Sequence, residues 1–298
     1  MPAASTALRS AEPRRGQMVD IGGRRLRAVI EGDLGPTPLI VCEAGAFGLA
    51  ADFAAIQAAL GPQRRSLAYD RAGLGLSDPA ETPRDSHAVT DDLRALLGAL
   101  GEAPPYILVG HSMAAVHIQV FARRWPAAVA GLVFLDGVPA EALVHKDAIG
   151  IVKGATRLAT IARAGSALRL AALTGPLIGD AIGLSGEARV EKLQAFGSPT
   201  HNTWASRELD CWLEDGEQAR TLGELDRELP VAVVTAGMAQ GWWKRMQADP
   251  ARRSRSGYVE NVARASHASL LGPKHCDRVV RAIDFVVKAA LARRNLPR

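Results

Sequence analysis

The residue of this chain best placed for chemistry is Ser112, at the tip of Gly110-His111-Ser112-Met113-Ala114. An apolar run, Tyr106-Ile107-Leu108-Val109, precedes it, and Met113, Val116 and Val120 follow at i, i+3, i+7. That pattern predicts a buried strand, a tight turn and a helix, with the serine in the turn. A serine pushed into the open this way holds a strained backbone, so the residues two before and two after it must be small. Gly110 and Ala114 meet that demand. The Met113 N–H, at a helix N-terminus, then faces the same space and can stabilise an oxyanion. The chemistry is nucleophilic attack on a carbonyl. The plain alternative is an ordinary β–α turn carrying an incidental serine.

A serine nucleophile needs a base. Of seven histidines, His267 follows the strand-like stretch Tyr258–Ala263 and precedes Gly272-Pro273 and the last helix. It is therefore expected on a loop at the C-terminal edge of a parallel sheet, where the ligand sites of such sheets lie. His111 adjoins the serine but must project away from it. His117 falls inside the next helix, and His87, His145, His201 and His275 lack a strand-end context.

These residues need a scaffold, and the chain supplies one. Leu39–Cys42, Ser66–Tyr69, Tyr106–Val109, Leu132–Leu135 and Val231–Val234 are short apolar runs separated by helical patterns. That alternation predicts an α/β architecture with a mostly parallel sheet of about eight strands. Two leading antiparallel strands are expected on either side of Gly22-Gly23. The last helix carries Val279, Ile283, Val286, Val287, Ala290 and Leu291 on one face. Between Pro139 and Leu229 the strand rhythm stops, and Ala/Leu/Arg-rich helical stretches follow, broken at Thr174-Gly175-Pro176 and Ser198-Pro199. The expected organisation is a core of residues 18–138 and 230–298, an all-helical insertion over 139–229 and a disordered tail over 1–17.

With 298 residues, the chain is long enough to bury a large core in one unit. The net charge of +5 rests largely in Arg pairs, and aromatic residues make up only 5%, so no basic stripe with stacking platforms for nucleic acid is present. Cys42, Cys211 and Cys276 stand far apart and form no metal-ligand spacing, as expected of thiols in a reducing cytosol. The first seventeen residues lack the apolar core of a signal peptide, and no apolar tract reaches the length of a membrane span. These features predict a cytoplasmic protein. Neither cofactor nor metal is implied, and oligomeric state is not readable.

Val109 to Ala115 resembles the Gly-His-Ser-Met-Gly-Gly turn of the α/β-hydrolase superfamily. Tyr69-Asp70-Arg71-Ala72-Gly73-Leu74-Gly75-Leu76-Ser77 resembles that family's Tyr-Asp-x-x-Gly-x-Gly-x-Ser turn, and His267 stands where its late catalytic histidine falls. The likeness runs from about Met18 to the last helix and is nearest to the lipase- and esterase-like members with a helical cap. It implies an oxyanion donor after the third strand. Aligning Gly45 of Cys42-Glu43-Ala44-Gly45-Ala46-Phe47-Gly48 with the family's glycine gives the Ala46 N–H that role and sets Phe47 against the pocket, although Ala44 replaces the usual histidine. The family's acid most often follows the penultimate strand, but Thr235-Ala236-Gly237-Met238 offers no carboxylate. Asp136, at the end of Leu132–Leu135 and 24 residues after Ser112, is the expected acid, as in some members. Glu214, Asp210 and Glu260 are more distant alternatives, and Asp70 is assigned to its own turn.

The resemblance thus implies a Ser112–His267–Asp136 hydrolase acting through an acyl-enzyme on a carboxylic ester; the Ala/Leu-rich insertion points to a small-to-medium, hydrophobic substrate, and Trp242, just after a strand, is a further pocket residue. Lactone, thioester and C–C bond hydrolysis run on similar triads. Dehalogenases and epoxide hydrolases of like architecture carry aspartate where Ser112 stands. Two other classes stay open: a non-catalytic ligand-binding protein on the same fold, and a membrane-surface protein using Lys153, Arg157, Arg163 and Arg169 of the helical insertion.

Overall fold

The computed structural model describes residues 13–81, 83–144, 150, 154, 181–238 and 241–294. Its centre is an eight-stranded sheet in the order β1-β2-β4-β3-β5-β6-β7-β8. The strands are β1 (Gln17–Asp20), β2 (Arg25–Glu31), β3 (Ile40–Glu43), β4 (Ser66–Tyr69), β5 (Tyr106–His111), β6 (Val129–Leu135), β7 (Val231–Ala236) and β8 (Gly257–Val262). The β1–β2 hairpin joins β4 antiparallel, and all later pairings are parallel. Strands β3 to β7 are covered on both faces, so their sequences read as unbroken apolar runs rather than alternations. Edge strand β8 alternates between exposed and half-buried residues.

One face of the sheet packs against α1 (Ala54–Leu60) and the terminal α9 (Cys276–Arg294), whose Val279, Ile283, Val286 and Val287 are buried as their spacing predicts. The other face carries α2 (Ser86–Ala99) and α3 (Ala114–Arg124) through Leu93, Leu96, Ile118 and Phe121. The Asp85 carboxylate accepts the Ala88 N–H and caps α2. Between β6 and β7 lie only helices among the described residues: α4 (Ala140–Leu143), α5 (Gly186–Gly197), α6 (Pro199–Asp210) and α7 (Trp212–Thr221). Pro199 opens α6, and Ser198 accepts the His201 N–H, which explains the break expected there. The break at Thr174-Gly175-Pro176 and the basic residues 153, 157, 163 and 169 lie outside the described residues.

Two features depart from the expected organisation. Strand β1 begins at Gln17, and Arg15 pairs with Glu191 at 3.3 Å, so both lie packed within the stretch expected to be a disordered tail. A helix, α8 (Trp242–Arg253), follows β7, where none was expected. It buries Gln247, Ala248 and Ala251 and contains Pro250, so it shows neither a large-apolar stripe nor an uninterrupted helical sequence. Among the described residues, no helix is long and apolar enough to cross a membrane.

Candidate active site

In parallel register, Glu43 of β3 stands beside Gly110 of β5, His111 beside Leu135 of β6, and Leu135 beside Val234 of β7. The loops that leave these strands therefore emerge side by side at one edge of the sheet. Ser112 leaves β5, Asp136 leaves β6, and Ala46 and Phe47 lie just beyond β3. Backbone bonds lock them together: the Ser112 N–H reaches Leu135 O at 3.1 Å, and the Val138 N–H reaches Ser112 O at 2.9 Å.

Among the described residues, the non-glycine residues with positive φ are Phe47 (56°), Ser112 (57°) and Asp136 (43°). Each sits at this edge, and each was singled out from sequence. Backbone held in this region costs about 1–3 kcal/mol per residue and persists only where packing fixes it. The packing at Ser112 is visible. A Cβ on Gly110 would stand 2.8 Å from Ala114 O and 2.9 Å from Ile118 Cδ1, so the turn can close only over glycine. Met113 has helical dihedrals and immediately precedes α3, with its side chain fully buried.

The Gly45–Gly48 loop lies directly against the serine: a Cβ on Gly45 would come within 2.8 Å of Ser112 Cβ. The Gly48 N–H donates to Gly45 O at 3.0 Å and closes a turn whose two central residues are Ala46 and Phe47. A buried Arg71 holds this loop from below. Its guanidinium donates to Glu43 Oε1 at 2.8 Å, to Glu208 Oε1 and Oε2 at 2.8 and 2.7 Å, to Gly45 O at 2.9 Å and to Ala44 O. The Tyr69 hydroxyl donates to the other Glu43 oxygen. Burial pushes the Tyr69 phenol well up, and neighbouring Glu43 adds to the effect. Burial alone would lower the Arg71 guanidinium, but Glu208 and Glu43 outweigh it and hold it firmly charged. Lys192 of α5 donates to Phe47 O at 3.2 Å and to Asp52 at 2.7 Å. Thus the loop beside Ser112 is tied to α5 and α6 of the inserted helices by buried charges.

His267 and Asp136 meet: Nδ1 and Oδ2 are 2.7 Å apart. The other carboxylate oxygen accepts the Ala236 N–H at 3.1 Å and Gln247 Nε2 at 3.2 Å. Burial pushes the Asp136 carboxyl up, but the His267 bond, the Ala236 N–H and the charges of His267 and Lys244 together hold it below the usual carboxylate range. It is thus kept ionised. His111 stacks on His267 with ring centroids 4.5 Å apart, and its Nε2 lies 3.1 Å from His267 O. Burial first, then the charges of His267 and Lys192, push the His111 imidazole down to about 3. His111 is therefore a neutral buttress for the histidine loop. Among the described residues no hydrogen bond joins the Ser112 hydroxyl to His267, a contact that commonly tightens only with substrate bound.

Phe47 stacks on Phe196 of α5 at 6.4 Å and packs against two apolar clusters, one containing Met113 and Trp212 and the other Leu74 and Trp204. Trp242 stands at the start of α8, 43% exposed, its ring edge-on to Trp243 at 5.5 Å. Asp70 serves its turn, accepting the Leu76 N–H at 3.0 Å and the Ala50 N–H at 2.8 Å. The alternatives for the acid lie elsewhere: Glu260 pairs with Arg278 at 2.6 Å, and Asp210 and Glu214 sit at the α6–α7 junction. A cavity between α3, α4, α7 and α8, bordered by Gln119, Arg123, Glu141 and Asp249, touches none of Ser112, His267 and Asp136. Sequence reasoning missed Arg71, Glu43, Glu208, Lys244 and Gln247 as members of this site. The one available signal was a charged residue at or just past an apolar run: Glu43 at the end of β3 and Arg71 two residues beyond β4.

A model of the alpha/beta hydrolase family matches residues 40–282. The chain belongs to that family. It is 31% identical over 121 residues to 2-(acetamidomethylene)succinate hydrolase of Mesorhizobium japonicum, covering 41% of this chain and 42% of that one. The chain spans less than half the length of the curated relatives it matches. In three dimensions it resembles a candidate epoxide hydrolase of Pseudomonas aeruginosa, with TM-score 0.71 and 17% identity over 92% of this chain and 96% of the other. It also resembles the enol-lactonase of Burkholderia xenovorans LB400, with TM-score 0.64 and 18% identity over 90% of this chain and 99% of the other. At these identities the likeness is one of fold.

Proposed function

We propose that the protein is a serine hydrolase that cleaves a small, apolar carboxylic ester through an acyl-enzyme on Ser112. The observation that carries this reading is the pairing of a serine at φ 57° in a strand–turn–helix with a 2.7 Å histidine–carboxylate bond at the same sheet edge. In the first step the Ser112 Oγ attacks the ester carbon while His267 Nε2 takes its proton. Asp136, kept ionised, orients the imidazole and stabilises its charged form. The Met113 and Ala46 N–H groups receive the oxyanion. His267 then returns the proton to the departing alcohol, and a water activated by the same histidine releases the acid.

Phe47, Met113, Val116, Leu209 and Trp212 form one apolar cluster beside the serine, which supports an apolar acyl or alcohol group. The inserted helices act as a cap that contributes this wall. Trp242 is proposed as a second aromatic contact at the mouth. A lactone, as an internal ester, is open to the same steps.

The test is a panel of short p-nitrophenyl esters and lactones with wild type, Ser112→Ala and Asp136→Asn. The reading expects ester turnover by wild type, none by Ser112→Ala above background, and a strongly reduced kcat for Asp136→Asn. Equal turnover by Ser112→Ala would overturn it.

A further inference from the structure

The end of β7 is the place where family resemblance puts the acid, and here it holds a cation. Gly237, with φ 84°, follows the strand and brings no carboxylate. Instead Lys244, from the first turn of α8, reaches back over the strand end. Its ammonium donates to Ala236 O and, at 3.0 Å, to Asn261 Oδ1. Asn261 is itself fixed: it accepts the Thr235 hydroxyl at 2.8 Å and donates to Gly237 O at 3.2 Å. The ammonium so held stands 3.9 Å from Asp136 Oδ1, with 15% of the lysine side chain exposed. Gln247, one helical turn further on, donates to the same oxygen and to Gly137 O.

The two oxygens of Asp136 therefore have different surroundings. One faces His267, and the other faces the Ala236 N–H, Gln247 and Lys244. This proposal rests on the serine-hydrolase reading above. We propose that Lys244 is a positioning residue of the triad, a fixed positive charge behind Asp136 that limits how tightly the His267–Asp136 pair holds a proton.

The charge balance around the pair supports this. From β5, His111 faces His267 in its neutral form. From α5, Lys192 is already neutralised by Asp52 at 2.7 Å. From α8, Lys244 is the nearest cation to Asp136, and Asp136 is the nearest anion to His267. With Lys244 in place, an imidazolium at His267 meets a carboxylate whose field is partly cancelled. The imidazolium formed when Ser112 gives up its proton then passes that proton on to a leaving group more readily. Without the cation, the imidazolium–carboxylate pair tightens. A unit charge one carboxylate removed from the imidazole, in partly buried surroundings, moves the protonation of the pair by on the order of one pH unit.

The experiment measures the rate of covalent inactivation by a fluorophosphonate against pH, alongside kcat/KM on a p-nitrophenyl ester. The proteins are wild type and the Lys244→Met, Lys244→Gln and Lys244→Arg variants, each checked for its fold by circular dichroism. Lys244→Met and Lys244→Gln should both move the acidic midpoint of each profile up by about one pH unit. Lys244→Arg should restore the wild-type midpoint, because it keeps the charge. Gln keeps hydrogen-bonding capacity without charge, so a Gln variant with a wild-type midpoint would sink the proposal. So would folded Met and Gln variants that lose rate with unchanged midpoints, which would mean packing alone. If wild type is not labelled at any pH, the serine-hydrolase reading itself fails and takes this proposal with it. Labelling with unshifted midpoints removes only the role of Lys244.

Discussion

Replacing Arg71 by methionine would test what holds the Gly45–Gly48 loop in place. The substitution keeps most of the aliphatic volume and removes a guanidinium that is 1% exposed. It would leave the Glu43 and Glu208 carboxylates, each also 1% exposed, without their shared cation. It would also free the Ala44 and Gly45 carbonyls from their donor. Removing one partner of a buried ion pair costs about 3–5 kcal/mol, because the other charge stays buried and unpaired. An orphaned carbonyl adds about 1–3 kcal/mol, partly recovered when the loop relaxes toward water. A total loss of about 5 kcal/mol is expected, a large share of the ~5–15 kcal/mol that stabilises a typical domain. Urea denaturation at 25 °C, followed by tryptophan fluorescence, reads the loss directly. Lys in place of Arg71 keeps the charge without the two-pronged fork to Glu208 and should fall between the two. The double variant Arg71→Met/Glu208→Gln should recover part of the loss, because one stranded charge is gone. A loss below about 1 kcal/mol for Arg71→Met would refute the reasoning, since it would mean that the buried network contributes no more than a surface pair.

Two other outcomes follow from the same geometry. Ala46→Pro removes one N–H, and proline is favoured at the second position of a turn, so the loop should survive. The rate kcat should fall about 10²–10³-fold with KM little changed, as read by steady-state kinetics on a p-nitrophenyl ester. Stability should also fall on acidification through two buried histidines. Burial, then the charge of Lys192 and, for His111, that of His267, push His111 and His201 each down to about 3, whereas an imidazole in the unfolded chain titrates near 6.5. The unfolded chain therefore takes up protons below about pH 6.5 that the folded chain refuses, and each histidine's contribution, complete above that pH, is lost as pH falls toward 3. The expected loss is about 2 kcal/mol per histidine between pH 6.5 and 5, measured by urea denaturation at each pH. His201→Gln should halve the slope, and an unchanged slope would contradict the assignment.

The sheet was legible because parallel strands buried on both faces must be apolar throughout, and each such run in the sequence became a strand. Ser112 was legible for a steric reason: a glycine two residues before it is a demand of the turn, and the structure shows what a Cβ would hit there. Asp136 was named through the family resemblance and its place at a strand end; spacing alone could not separate it from Glu43 and Asp70, which also stand at the ends of apolar strands. The surroundings of Asp136 were not legible. Lys244 and Gln247 reach it from α8, a helix whose buried face consists of Gln247, Ala248 and Ala251 and gives almost no hydrophobic signal. The Arg71–Glu208 bond spans 137 residues, and no local pattern ties one to the other. Long-range ion pairs are chosen by tertiary packing, which periodicity does not record.

The reading stands or falls with Ser112 as a nucleophile activated by His267. The most direct measurement is treatment with a fluorophosphonate followed by mass spectrometry of the digested protein. One phosphonyl adduct is expected, on the peptide carrying Ser112, absent in Ser112→Ala and formed far more slowly in His267→Ala. An adduct elsewhere, or labelling of Ser112→Ala at the wild-type rate, would contradict it.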